Sequence, residues 1–121
     1  MPHGSVLVVE DDPDVRDALA TVLETEGYDV AKACDGQEAL GQLRASSIPS
    51  LILLDLYMPV MNGWAFRAEQ LRDPKLASIP VVVVSADSMV AKRAADLGAA
   101  GYVGKPIDFD RLLTLVATHC S

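Results

Sequence analysis

Aromatic residues are scarce in this chain of 121 residues: one Trp, three Tyr and two Phe make up 5%. Half of the residues are hydrophobic, so the core must be built from Val, Leu, Ile and Ala, as in a parallel sheet covered on both faces. Cysteine is nearly absent. Cys34 and Cys120 stand far apart and fit neither a metal-ligand spacing nor a disulfide framework, and two free thiols suit a reducing, cytoplasmic setting. Positive charge is in deficit, with 17 Asp and Glu against 10 Lys and Arg and a net charge of −7. That excludes the basic face on which direct nucleic-acid binding depends, although such an acidic balance is also ordinary for a soluble domain. No apolar run approaches the roughly 18 residues that would indicate a membrane span. Met1-Pro2-His3-Gly4 has no signal-peptide character and is read as a short lead at 1–4. No repeat, low-complexity tract or interdomain linker is visible, and the length suits one domain over 1–121.

What is present is an ordered alternation of strand and helix. Ser5 to Glu10 reads as a first strand, followed by Asp12 as a helix cap and Pro13 at the first helical position. Val15, Leu19, Val22 and Leu23 recur at helical spacing before Gly27 stops the helix. Tyr28 to Ala33 is a second strand and Gln37 to Ala45 a second helix with Ala39, Leu40 and Leu43 inward. Leu51 to Leu54 is a third strand, Gly63 to Arg72 a third helix, and Pro80 opens a fourth strand of four valines. Ser88 to Leu97 is expected as a fourth helix closed by Gly98. Gly101 to Gly104 is a fifth strand, and a last helix capped by Asp108 turns Leu112, Leu113, Leu115 and Val116 inward. Strands alternating with helices of this length predict right-handed crossovers and a doubly wound five-stranded parallel sheet, helices on both faces. The order 2-1-3-4-5, borrowed from known flavodoxin-like folds, makes the first and third strands neighbours and sets their ends at the topological switch point.

Polar groups cluster where these strands end. The first strand runs into Glu10 and Asp11, the third into Asp55, the fourth into Ser85 and the fifth into Lys105. In open α/β sheets, ligands bind outside the carboxyl ends of the strands. Taken singly, Asp55 reads as the start of a turn before Met58-Pro59, Lys105 as a solvated lysine, and Ser85 as a hydroxyl that satisfies a strand end. Asp12 is assigned to capping, and a cap needs only one acid, which leaves Glu10 and Asp11 to be explained. Independent surface residues need not all fall at strand ends, and that joint placement favours a site. Two like charges 4 Å apart repel by about 4 kcal/mol at an effective dielectric near 20. A divalent cation together with Lys105 balances three carboxylates, and oxygen-only ligands with room for water suit Mg2+, with Mn2+ also possible.

The motifs Val6-Leu-Val-Val-Glu-Asp-Asp, Leu53-Leu-Asp-Leu-Tyr-Met-Pro with Asn62-Gly63, Val81-Val-Val-Val-Ser-Ala, and Gly98-Ala-Ala-Gly-Tyr-Val-Gly-Lys-Pro106 occur in one order and spacing. By them the chain resembles, over nearly its whole length, the receiver domain of two-component response regulators. The resemblance implies that Asp55 is the phosphoacceptor, attacking the phosphoryl group of a histidine kinase or phosphotransfer protein. It implies that Asp11 and Asp55 bind Mg2+ directly, Glu10 through water, and the backbone carbonyl of Tyr57 as a further ligand. Lys105 would contact the phosphoryl oxygens and Ser85 would bond one of them once Asp55 is modified. Lys105-Pro106 looks like the family's cis peptide. Tyr102 would rotate inward as Ser85 moves, remodelling the face of the fourth helix, fifth strand and last helix for a downstream effector; against this stands a half-buried aromatic that does not move. Dimerisation on phosphorylation is a further possibility that the family raises.

Tyr57 and Asp87, each two residues beyond an active-site position, occupy places that tune autodephosphorylation in this family, and bulky Tyr57 is expected to hinder the attacking water. Trp64 is assigned to packing near the site in preference to partner contact. His3 and His119, at the chain ends, are not phosphohistidine candidates. The domain is expected to act as a switch and not as an enzyme. Two alternatives remain in view: a Mg2+-dependent phosphohydrolase with an aspartyl nucleophile, and a pseudo-receiver that serves only as an interaction module. The first wants an acid two residues after the nucleophile, where Tyr57 stands; the second predicts loss of Asp55, Lys105 or one of the acidic pair, all of which are present.

Overall fold

Runs such as Val6-Leu-Val-Val and Leu51-Ile-Leu-Leu are apolar at every position because both faces of the sheet they form are covered. Successive side chains of a strand point to opposite faces. Val6, Val8, Leu51, Leu53, Val82, Val84 and Val103 accordingly pack on one side with Leu19, Leu23, Leu112 and Val116. Leu7, Val9, Ile52, Leu54 and Val81 pack on the other with Ala39, Leu40, Leu43 and Phe66. The computed structural model describes residues 4–120; Ser121 and residues 1–3 of the expected lead, with His3, lie outside the described residues.

The elements follow in the expected alternation: β1 Ser5–Val9, α1 Pro13–Thr25, β2 Asp29–Ala33, α2 Gly36–Ala45, β3 Leu51–Leu54, α3 Gly63–Arg72, β4 Val81–Ser85, α4 Val90–Asp96, β5 Gly101–Gly104 and α5 Phe109–Cys120. The sheet order is β2-β1-β3-β4-β5, with every pairing parallel. β1 and β3 are neighbours, as the acids at their ends require. No helix among the described residues is long and apolar enough to cross a membrane.

Most helices start where a short polar side chain satisfies the free N–H groups of the first turn. Asp12 accepts from Asp14 and Val15 ahead of Pro13, Asp35 from Glu38, Asn62 from Ala65 and Asp108 from Arg111. The fourth helix departs from expectation. It covers Val90–Asp96, shorter than Ser88 to Leu97, and Met89 offers no side-chain cap. The cause is Asp87, whose carboxylate accepts from the Met89 N–H at 2.8 Å and whose carbonyl accepts from Val90. An Asx turn of this kind competes with the first helical turn. Val15, Val22, Leu113 and Leu115, expected inward, are half-buried at the margin of the core.

Gly63 connects this frame to the β3–α3 loop. A Cβ placed there would lie 2.6 Å from the Asp55 carbonyl oxygen and 2.8 Å from the Leu56 Cα, both backbone atoms. Gly63→Ala is therefore expected to lower stability by about 1–3 kcal/mol, as overpacking does, in urea unfolding followed by circular dichroism.

Candidate functional site

The parallel ladder continues one residue beyond its strands and so delivers the polar groups in register. Glu10 donates its N–H to the Ala33 carbonyl, Asp55 to Val9 and Lys105 to Ser85, each at 3.0 Å. The side chains that follow share the carboxyl edge of the sheet. Glu10, Asp11 and Asp55 each place one carboxylate oxygen within 4.8 Å of the others, with Glu10 and Asp55 buried and Asp11 exposed. The Lys105 ammonium lies 2.6 Å from Glu10 Oε1 and 3.6 Å from Asp55 Oδ2. The Lys105–Pro106 bond is cis.

The two buried carboxylates are partly satisfied by the backbone. Asp55 Oδ1 accepts from the Leu56 N–H at 2.8 Å and Glu10 Oε2 from the Asp12 N–H at 3.2 Å. Glu10 Oε1 is fully enclosed, and the Lys105 ammonium 2.6 Å away is its close polar neighbour. Burial pushes the Glu10 carboxyl up to about 7 against the opposing pull of Lys105. Burial also raises the Asp55 carboxyl, again opposed by Lys105. Burial pulls Lys105 down, but its bond to Glu10 and the charge of Asp55 outweigh it and hold the ammonium above its ordinary value. One ammonium thus under-compensates the anionic pocket. Three clustered carboxylates facing one ammonium form an all-oxygen donor set that fits a hard divalent cation.

The loop that follows Asp55 is tightly held. Val60, exposed and β-branched, has φ +67°, a backbone state that such residues keep only where their surroundings impose it. Met61 donates to the Pro59 carbonyl and accepts from Gly36. Tyr57 projects outward at 55% exposure. Its hydroxyl donates to Asp87 Oδ2 at 2.5 Å, and its ring meets Trp64 edge-on with centroids 5.3 Å apart. That bond raises the Tyr57 hydroxyl and holds the Asp87 carboxyl below the usual range.

The structure thus brings Glu10, Asp11, Asp55 and Lys105 together. Ser85 is buried at the end of β4, beside β3, and accepts from the Asp87 N–H at 3.2 Å. Tyr102 stands apart on β5, half-buried against Leu56, Val83, Val90 and Ala94, with the Arg111 guanidinium 4.8 Å over its ring. Trp64 packs against the same cluster, as expected. Cys34 is half-buried and its thiol donates to Asp35 and Glu38; burial chiefly raises it. Cys120 is a buried core residue. Several participants escaped the sequence reading. Arg16 donates to the Glu10 carbonyl at 2.9 Å and steadies the β1–α1 loop, Arg93 reaches Asp87, and Arg67 and Gln70 form a buried pair on α3. For the last two the signal was available: Gly63, Phe66, Arg67 and Gln70 share one helical face, and an apolar neighbour among them marks the polar pair as inward.

Fold and pocket together define a flavodoxin-like α/β domain with an acidic site at its switch point. A family model described as the response regulator receiver domain matches residues 6–117. The DNA-binding dual master transcriptional regulator RpaA of Synechocystis sp. is 36% identical over 114 residues, covering 92% of this chain and 46% of RpaA. PilH of Pseudomonas aeruginosa is 31% identical over 116 residues, covering 92% of this chain and 93% of PilH. The chain thus spans about half the length of RpaA and nearly all of PilH. Among solved structures, the response regulator TrrA of Thermotoga maritima, in complex with Mg2+-BeF, is similar with a TM-score of 0.83 at 30% identity, covering 98% of each chain. The chain belongs to the response regulator receiver family.

Removing the ammonium isolates its electrostatic role. Lys105→Met is expected to destabilise the metal-free protein, since it leaves Glu10 and Asp55 buried without their cation. Added Mg2+ is then expected to raise the melting temperature of Lys105→Met by more than that of the wild type, measured by differential scanning fluorimetry.

Proposed function

We propose that Asp55 is the phosphoacceptor of this receiver domain and that a histidine kinase or phosphotransfer protein is the donor. The observation that carries the reading is the pairing of a buried Asp55 carboxylate with the Lys105 ammonium beside two further acids. An Asp55 oxygen forms a P–O bond as the P–N bond of the donor phosphohistidine breaks, and the electron pair leaves with the imidazole. Such transfer relies on positioning and charge neutralisation more than on covalent chemistry by the protein. Glu10, Asp11, Asp55 and the Tyr57 carbonyl would hold Mg2+, or Mn2+ in its place. When bound, the ion neutralises charge on the transferring group. Lys105 takes the phosphoryl oxygens, and the Ser85 hydroxyl donates to one of them after transfer. The domain would modify only itself, which makes it a switch in the cytoplasm, where its kinase and effector would be found.

A groove of about 310 Å3 between the start of α1 and the β5–α5 loop, lined by Val15, Ala18, Ile107 and Phe109, lies beside Lys105. Its apolar surface supports a protein donor approaching from that side. The output would be read on α4, β5 and α5, where Tyr102 packs against the wall formed by Val83 and Val90; dimerisation after phosphorylation would use the same region. A phosphohydrolase is disfavoured because Tyr57, in the place of its general acid, points outward to Asp87. A pseudo-receiver is disfavoured by the intact set of acids and lysine.

Incubation with Mg2+ and acetyl phosphate or phosphoramidate is expected to add the mass of one phosphoryl group to the wild type and none to Asp55→Asn. No gain in the wild type, or an equal gain in Asp55→Asn, contradicts the assignment. Tyr57 shields the bond from water by its bulk, so Tyr57→Ala is expected to lose radiolabelled phosphate several-fold faster; an unchanged lifetime argues against shielding.

A further inference from the structure

Gly36 opens α2, an element that holds none of the acids of the site. Glycine is needed there for space and not for backbone freedom. Gly4, Gly27 and Gly98 are the glycines with positive φ among the described residues, and Gly36 is not one of them. A Cβ at Gly36 would lie 2.9 Å from the Met61 carbonyl oxygen, 2.8 Å from Met61 Cγ and 3.0 Å from Phe66 Cβ. The Gly36 N–H is one of the donors that the first turn of a helix leaves free, and it donates to that same carbonyl at 3.0 Å. Gly36 is buried, and Asp35 fixes the turn around it by accepting from the Glu38 N–H at 2.8 Å.

Met61 leads from this contact to Asp55. On its amino side, its N–H returns to the Pro59 carbonyl at 2.7 Å and closes a γ-turn around Val60. A turn of this hand, with φ +67° at a β-branched residue, is strained and persists because its surroundings impose it. Two residues on, Gly63 donates to the Leu56 carbonyl at 2.9 Å, and a Cβ at Gly63 would lie 2.6 Å from the Asp55 carbonyl oxygen. Backbone thus rests on backbone twice in succession, Gly36 on Met61 and Gly63 on Asp55. Leu56 and Met58, buried in separate clusters, pin the same loop from within. No side-chain rotation absorbs a shift in such a stack, and close packing passes it on.

We propose that Gly36 is a positioning residue for the metal pocket, acting through Met61 and Gly63 on the backbone of Asp55 and the Tyr57 carbonyl. The proposal deepens the Mg2+ reading of that pocket and rests on it. The first residue of α2 sets how closely the β3–α3 loop closes on the end of β3. A methyl group at Gly36 meets a backbone oxygen, which cannot swing aside as a side-chain end would. Helix and loop must part, the Gly36–Met61 bond lengthens, and the displacement reaches Gly63 and the atoms it touches. The coupling is reciprocal: a bond that favours the cation is itself favoured when the cation is bound.

Isothermal titration of the full, folded chain with Mg2+ tests this, with two companion variants on the same helix. Gly36→Ala is expected to bind Mg2+ about tenfold more weakly, the scale on which groups behind the ligands act. A Cβ at Gly41 meets nothing within 4 Å, so Gly41→Ala is expected to bind as the wild type does. Leu43→Ala empties part of the core and is expected to lower the melting temperature without weakening Mg2+ binding. Wild-type affinity in Gly36→Ala, or an equal loss in Leu43→Ala, overturns the positioning role. Hydrogen exchange of the wild type gives a readout that needs no variant. Saturating Mg2+ is expected to slow the Gly36 amide several-fold more than the amides of Gln42 and Leu43; equal slowing along α2, or none at Gly36, overturns the coupling. A wild-type chain that takes up no Mg2+ overturns the metal reading and the positioning role with it.

Discussion

Three carboxylates and one ammonium share the carboxyl edge of the sheet, and the remainder of the molecule can be read as what that requires. Burial drives Glu10 and Asp55 toward their neutral forms, and Lys105 opposes this without balancing it. A fold gathers like charges in this way only at a free-energy cost. The cost is borne by a sheet whose central strands are buried on both faces, stitched to its site by ladder bonds that run one residue beyond each strand. On the proposed reading, the same under-compensation makes the pocket receptive first to a cation and then, with the cation in place, to a dianionic group.

Much of this was legible from residue order alone. Apolar runs that end in acids, a hydroxyl and a lysine identified the strands and their polar ends, and Asp12-Pro13 and Asp108 marked helix starts that the structure keeps. The strand order was not legible from the residues; it came from known flavodoxin-like sheets, and the pairing of β1 with β3 bears it out. The start of α4 was misjudged because Asp87 competes locally with the helix, and periodicity over seven residues says little about which tendency prevails. The polar face of α3 was passed over for the opposite reason. Arg67 and Gln70 look like solvent residues in sequence, and only the position of Leu97, Gly98, Leu76 and Ile79 around them makes them interior.

On the proposed reading, a chemical event confined to one carboxylate is read at a distance. Asp55, Ser85 and Lys105 end three adjacent strands, so a new group on the first meets side chains of the other two without any rearrangement of the sheet. Outside the sheet lie the β3–α3 and β4–α4 loops and the shortest helix of the fold. The strands that end in the site are buried, while α4 beside them is largely exposed. This division follows from where burial is complete and where water still competes.

The central claim is that the pocket built by Glu10, Asp11, Asp55 and Lys105 takes up a divalent cation because its own ammonium leaves negative charge uncompensated. Isothermal titration of the folded chain with Mg2+ tests it most directly. The account predicts uptake at a single site that is abolished in Asp11→Asn and weakened at high ionic strength. Correctly folded protein that binds no Mg2+, or that binds it equally well without Asp11, would contradict it.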